Sequence, residues 1–107
     1  MADKRGGLLL RVDGELRFVP SSVAVRVVAL PPVTRVPGGP ASLLGIALHE
    51  GAVIPVVALG PTRGAMVVCE HEGELLGLVG AEVLGAEGHD GEVPVLDLAG
   101  IYARLRR

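Results

Sequence analysis

Apolar residues arrive along this chain in short runs cut by glycine and proline, and the runs 8–12, 16–19, 23–30, 52–59, 65–70, 74–79 and 92–98 each predict a β-strand. Several, such as Val53-Ile54-Pro55-Val56-Val57-Ala58-Leu59, do not alternate between apolar and polar positions, as expected of strands covered on both faces. Asp13-Gly14 and His71-Glu72-Gly73 separate such runs and predict hairpin turns, where glycine supplies a positive φ. Helix is predicted in two places only: a turn at Pro40-Ala41-Ser42-Leu43-Leu44 and a short C-terminal helix from Leu98 or Ala99 to Arg106. Pro37-Gly38-Gly39-Pro40 reads as a stiff turn, and the glycine-rich 85–91 as a flexible loop.

Composition reinforces the pattern. Seventeen valines favour the pleated surface of a sheet, since β-branched side chains lose rotamer freedom in a helix. With one Phe, one Tyr and no Trp, the core must be filled by Val, Leu, Ile and Ala, a demand that compact barrels sharing one apolar seam would meet. A length of 107 residues suits one domain with a real core and is short for two. No apolar stretch approaches the roughly 20 residues of a membrane-spanning helix. The apolar run after Met1–Gly7 is too brief for a signal peptide, and the single Cys69 fits a reducing compartment, so a cytoplasmic protein is expected.

Charge and candidate chemistry then exclude classes of function. Ten basic and twelve acidic residues are interspersed, leaving no strong field for nucleic acid or an acidic membrane, and no aromatic platform on which bases could stack. Cys69 and His71 would share one face of a strand, as two zinc ligands could, but a structural site wants four ligands and the rest are missing. Ser21, Ser22, Ser42 and Cys69 lie in no nucleophile motif, and 85–91 lacks the lysine and Ser/Thr of a phosphate loop. Glu70, Glu72 and Glu74 read as a charged hairpin tip. No catalytic residue, metal or cofactor is therefore expected, and a fold with nothing to react must act through its surfaces. The alternative from another class is a small-molecule sensor or carrier with an apolar pocket between strands, against which the lack of convergent polar residues counts.

One ordered set of elements is distinctive. It runs from Pro20-Ser21-Ser22-Val23 through Leu30-Pro31-Pro32-Val33-Thr34-Arg35-Val36-Pro37-Gly38-Gly39-Pro40, then through Gly45 to Gly51 and on to Ile54-Pro55-Val56-Val57-Ala58-Leu59. In strand, proline-rich turn, glycine-bounded segment and Val-Pro-Val-like strand it resembles the CheW-like family of chemotaxis adaptors. Gly77–Gly85 resembles that family's Gly-Leu-x-Val-Asp-Glu-Val strand, and Val95-Leu96-Asp97-Leu98 its closing strand. The resemblance covers nearly the whole chain.

It implies an all-β fold of two small SH3-like barrels: a single domain over 1–107, with the first barrel at about 8–60, an abbreviated second at about 61–98, and a C-terminal helix at 99–107. It implies a non-enzymatic adaptor that couples the cytoplasmic tip of methyl-accepting chemoreceptors to the regulatory domain of a CheA-type histidine kinase. Contact with other CheW-like proteins, and recruitment to chemoreceptor clusters, follow from the same resemblance. The positions it assigns to partner binding are Arg26, Arg35, Val36, Leu44, Ile46 and Glu50, although for the apolar ones simple core packing is the commoner role.

The chain departs from the family pattern at several places. Arg26 stands where an acidic residue is usual and Glu50 where an arginine is usual. If the two face each other, the double reversal keeps an ion pair while inverting the surface offered to partners; independent solvated charges are the alternative. Leu48 replaces an asparagine, and Ala58 and Ala81 replace aspartates. Between Gly85 and Val93 there is only a short loop where the family has a further hairpin or two. In length the chain is similar to the short CheW-like component of Frz-type chemosensory systems. These departures imply an atypical member with altered kinase contacts.

Overall fold

The computed structural model describes residues 6–39, 43–61, 64–88 and 93–105. In chain order the elements are β1 (Gly6–Val12), β2 (Glu15–Pro20), β3 (Ala24–Ala29), β4 (Leu43–His49), β5 (Ala52–Ala58), β6 (Ala65–His71), β7 (Glu74–Val79), β8 (Glu82–Gly88) and α1 (Leu98–Leu105). Three hairpins are closed by two-residue turns of one kind: an acidic residue followed by glycine. Asp13-Gly14, Glu50-Gly51 and Glu72-Gly73 all have positive φ at both positions, near 50° and then near 80°. That is the turn whose twist matches the twist of the strands it joins, and a two-residue loop fixes the register beyond it. Val12 thus faces Glu15, His49 faces Ala52, and His71 faces Glu74.

The strands form two sheets, β2-β1-β8 and β3-β6-β7-β5-β4. The layers do not follow the order of the chain, because β8 returns to pair antiparallel with β1. In the larger sheet every pairing is antiparallel except β5 with β7, which run parallel because β6 intervenes in sequence and sits on the far side of β7. β3 and β4 are its two edges. The chain leaves β3 and, at Thr34, exchanges both backbone hydrogen bonds with Ile46 of β4, each 2.8 Å. One bridge therefore ties the two edges together. Among the described residues the sheets are curved layers in an SH3-like arrangement and do not close into complete barrels.

Gly45 makes that tie possible. A Cβ at this position would run into the Thr34 carbonyl and Val33, so only glycine lets 33–34 lie against β4.

Two cores follow from the alternation of side chains. Ala47, Ile54, Val56, Met66, Val68 and Val79 fill the inside of the five-stranded sheet. Val57, Val67, Cys69, Leu76 and Leu78 point the other way and meet Leu10 and Val19 of the smaller sheet, together with Leu98, Ile101 and Tyr102 of α1. The larger sheet is thus apolar on both faces, which explains why its strands do not alternate in sequence.

The all-β class and the short C-terminal helix, as far as Leu105, are as expected, with Arg106 and Arg107 outside the described residues, and four local expectations are corrected. Leu43 and Leu44 lie in β4 and not in a helical turn, since pairing with β5 outweighs the local helical signal; Pro40–Ser42 lie outside the described residues. The stretch 92–98 is no strand over its described part. Pro94 has no N–H to give a ladder, so 94–96 makes only the bridge of Val95 to Phe18 before Asp97 starts the helix. Residues 85–88 belong to β8 and not to a loop, with Leu84 as the extra residue of a bulge against Leu9 and Leu10. A third tight hairpin, at Glu50-Gly51, goes beyond the two expected.

Candidate functional site

Among the described residues, the outer face of the five-stranded sheet is covered over only part of its extent. On β5, Val53, Pro55 and Val57 point to the same side. Val57 is 2% exposed beneath the smaller sheet and α1, whereas Val53 is 65% exposed. Register carries the open part across to β4, where Leu48 lies opposite Val53 and is also 65% exposed, and Ile46 lies opposite Pro55. A solvated face at these positions would carry polar side chains, yet all four are apolar.

The proline-rich segment after β3 borders this open area. Pro31, Pro32, Thr34, Ile46, Ala47, Leu48 and Val53 line a groove of about 460 Å³. A second groove of about 280 Å³ at the mouth of the inner core is lined by Leu30, Pro31, Val33, Arg35 and Leu44. Pro31 belongs to both, so the two form one surface. Leu44 reaches the second groove because it is the extra residue of a bulge in β4, between Leu43 opposite Val57 and Gly45 opposite Val56.

Electrostatics differ between the ends of this surface. Arg26, exposed on β3, forms an ion pair with Glu50 at the β4–β5 turn, so the two positions do face each other. His49 Nε2 lies 3.9 Å from the other carboxylate oxygen of Glu50. Arg35, also exposed, makes no hydrogen bond or ion pair with any described residue and leaves a net positive charge beside Leu44.

The sequence-assigned positions therefore fall into two pairs and two single placements. Arg26 meets Glu50, and Arg35 adjoins Leu44. Ile46 sits in the larger groove. Val36 is exposed at the start of the proline–glycine turn, where its carbonyl accepts a 3.4 Å hydrogen bond from the Gly39 N–H, and it lines neither groove. Sequence reasoning missed Val53 and Pro31–Pro32 as surface, and took Leu48 only as a departure from a pattern. The signal was present in Glu50-Gly51, since a two-residue turn there places Leu48 opposite Val53.

The candidate chemistry around Cys69 takes a different form. Cys69 is fully buried and its thiol is pushed up to about 12 by burial. His71 packs its ring against Tyr102, centroids 5.3 Å apart, and among the described residues no three His, Cys, Asp or Glu side chains gather as a metal site. Among the described residues no helix is long and apolar enough to cross a membrane.

A two-layer β protein with an unpartnered apolar face is an interaction domain in form, and sequence comparison says which. The CheW-like domain family matches residues 6–92, and the chain belongs to that family. Among solved structures it is similar to the scaffolding protein TtCheW from Thermoanaerobacter tengcongensis, with a TM-score of 0.72 at 20% identity. That match covers 85% of this chain and 66% of TtCheW, so the chain spans just under two thirds of that protein's length. No curated protein sequence matches the chain.

Proposed function

We propose that this CheW-like domain is a non-enzymatic adaptor of a bacterial chemosensory complex, coupling a methyl-accepting chemoreceptor tip to the regulatory domain of a CheA-type histidine kinase in the cytoplasm. The observation that carries the reading is the open apolar half of the outer face, Ile46, Leu48, Val53 and Pro55, joined to the grooves along 30–36. Aliphatic side chains held at this exposure on a rigid sheet are what a partner surface needs in order to bury area without ordering a loop. Arg35, Leu44 and Ile46 contribute to that surface, and Val36 flanks it. The Arg26–Glu50 pair sets the charge at its far end, with kinase contacts altered by the reversed signs.

Pull-down and calorimetry with a receptor cytoplasmic fragment, and separately with a CheA-type regulatory domain, test the reading. Binding to at least one is expected, with loss of about tenfold or more in affinity for Leu48→Asp combined with Val53→Asp. Binding to neither partner rejects the adaptor role. Binding unaffected by that double variant rejects the face.

A further inference from the structure

Charge is scarce along the segment that builds the open surface. Residues 27–62 hold only two charged side chains, Arg35 and Glu50, in a chain of which 21% is charged. Burial explains part of this depletion but not all of it, since Pro32, Thr34, Val36, Pro37, Leu48 and Val53 are exposed and uncharged. An exposed patch poor in charge yet holding an arginine has the composition found at the centre of a protein interface. Glu50 is met by Arg26 within the chain. Arg35 is left as the charge of this segment that no described residue neutralises.

The fold fixes the root of this side chain. Thr34, just before it, exchanges two 2.8 Å backbone hydrogen bonds with Ile46, and just after it the Val36 carbonyl accepts the Gly39 N–H while Pro37 restricts the backbone. A cation rooted in this way loses less freedom on binding than one on a mobile loop. Beside it the groove of about 280 Å³ offers Leu30, Val33 and Leu44 to an aliphatic side chain. Because Thr34 already takes the N–H and carbonyl of Ile46, a partner cannot add a strand to β4 at that point and must bind through side chains. The guanidinium restricts which side chains fit: it is planar, weakly hydrated and matched to a carboxylate in a two-bond pair. A phosphate backbone asks for several cations, and among the described residues lining the groove Arg35 is the one that is charged. A small ligand would need several converging polar groups, which the same lining does not supply.

We infer that Arg35 determines the specificity of this surface: it pairs with a glutamate or aspartate of a protein partner, next to an aliphatic side chain of that partner seated on Leu30, Val33 and Leu44. The inference deepens the adaptor reading, on which it rests for the use of this surface, by naming the group the partner must present.

The test selects random peptides displayed on phage against the full chain, then measures the enriched peptides by calorimetry and by amide shifts on the isotope-labelled chain. Enriched peptides are expected to carry Asp or Glu beside Leu, Ile or Val, and to shift the resonances of Leu30, Val33 and Leu44. With Arg35→Glu as the target, selection should turn to Lys and Arg. Arg35→Gln should bind the parent's peptides about tenfold or more weakly, and Arg35→Lys, which keeps the charge but not the fork, should fall between. Thermal melting of all three variants should match the parent, because Arg35 is exposed and makes no described contact. No enriched peptide, enrichment without acidic residues, unchanged enrichment on Arg35→Glu, or shifts confined to Leu48 and Val53 would overturn the inference. Receptor or kinase binding without this acidic preference would overturn it and leave the adaptor reading standing. The acidic preference at this groove with binding to neither partner would support it and reject the adaptor reading.

Discussion

Val57 and Val53 are the same residue on the same side of one strand, yet one is sealed under α1 and the smaller sheet while the other faces solvent. The sheet offers its apolar outer face over a longer span than the other described residues cover. The covered half is fixed by folding, because burying it contributes to the stability of the domain. The open half contributes little until something else lies on it. Identical side chains therefore serve stability at one end of a strand and, in the function proposed above, recognition at the other.

The sharpest way to break this comparison is to place one charge at each site. Val57→Asp should cost at least about 3 kcal/mol in urea unfolding, since an unpaired carboxylate would be buried between layers. Val53→Asp should stay within about 1 kcal/mol of the parent. Similar losses at the two positions would mean that the halves do not differ.

Truncation asks the same question without charge. Leu78→Ala, in the core between layers, should lose about 3 kcal/mol through a cavity, against less than about 0.5 kcal/mol for Leu48→Ala.

Alkaline pH probes the covered half through groups already there. Burial raises Cys69 from 9 to about 12 and raises Tyr102 from 10 to about 12. Between those limits the unfolded chain has released protons that the folded one keeps, so stability is full below pH 9 and falls as pH rises toward 12. In Cys69→Ala the decline should start near pH 10, as chemical denaturation at stepped pH would show.

A smaller effect is expected where α1 begins. Asp97 Oδ1 accepts the Gly100 N–H at 3.0 Å, capping the helix that covers part of the sheet. Asp97→Ala should cost about 1 kcal/mol and increase amide exchange along α1 before the strands are affected.

The smallest effect belongs to the open side. Arg26 and Glu50 are both more than half exposed, so their coupling in a double-mutant cycle of Arg26→Glu and Glu50→Arg should be about 0.5 kcal/mol and vanish in about 1 M salt. A coupling several times larger would make the pair a structural clamp.

Much of this architecture was legible in the chain. Valine-rich runs between glycines marked six of the eight strands, because β-branched side chains and turn residues are local signals. β4 was not legible. Leu43 and Leu44 follow a proline in a helix-like context, and only pairing with β5, together with the contact of Thr34 on Gly45, makes that segment extended. The 92–98 stretch failed in the opposite sense: its valines suggested a strand, but Pro94 removed a donor and Asp97 turned the chain into α1.

The site was legible by halves. The charge-reversed pair Arg26 and Glu50 could be suspected from the resemblance, because a double reversal preserves attraction, and the two residues do meet. The openness of Leu48 and Val53 could not be, because apolar alternation reads the same whether the chain covers a face or leaves it bare.

The order of the smaller sheet has a consequence in time. β1 stands between β2 and β8, which lie at opposite ends of the strand sequence. During synthesis β1 and β2 can close their hairpin early, but one edge of β1 stays unpaired until six further strands have been made. The final closure joins residues distant in sequence, the kind of contact that slows folding. Throughout that wait Leu8 and Leu10 lie along a bare edge, so the nascent chain is at its most adhesive just before β8 arrives.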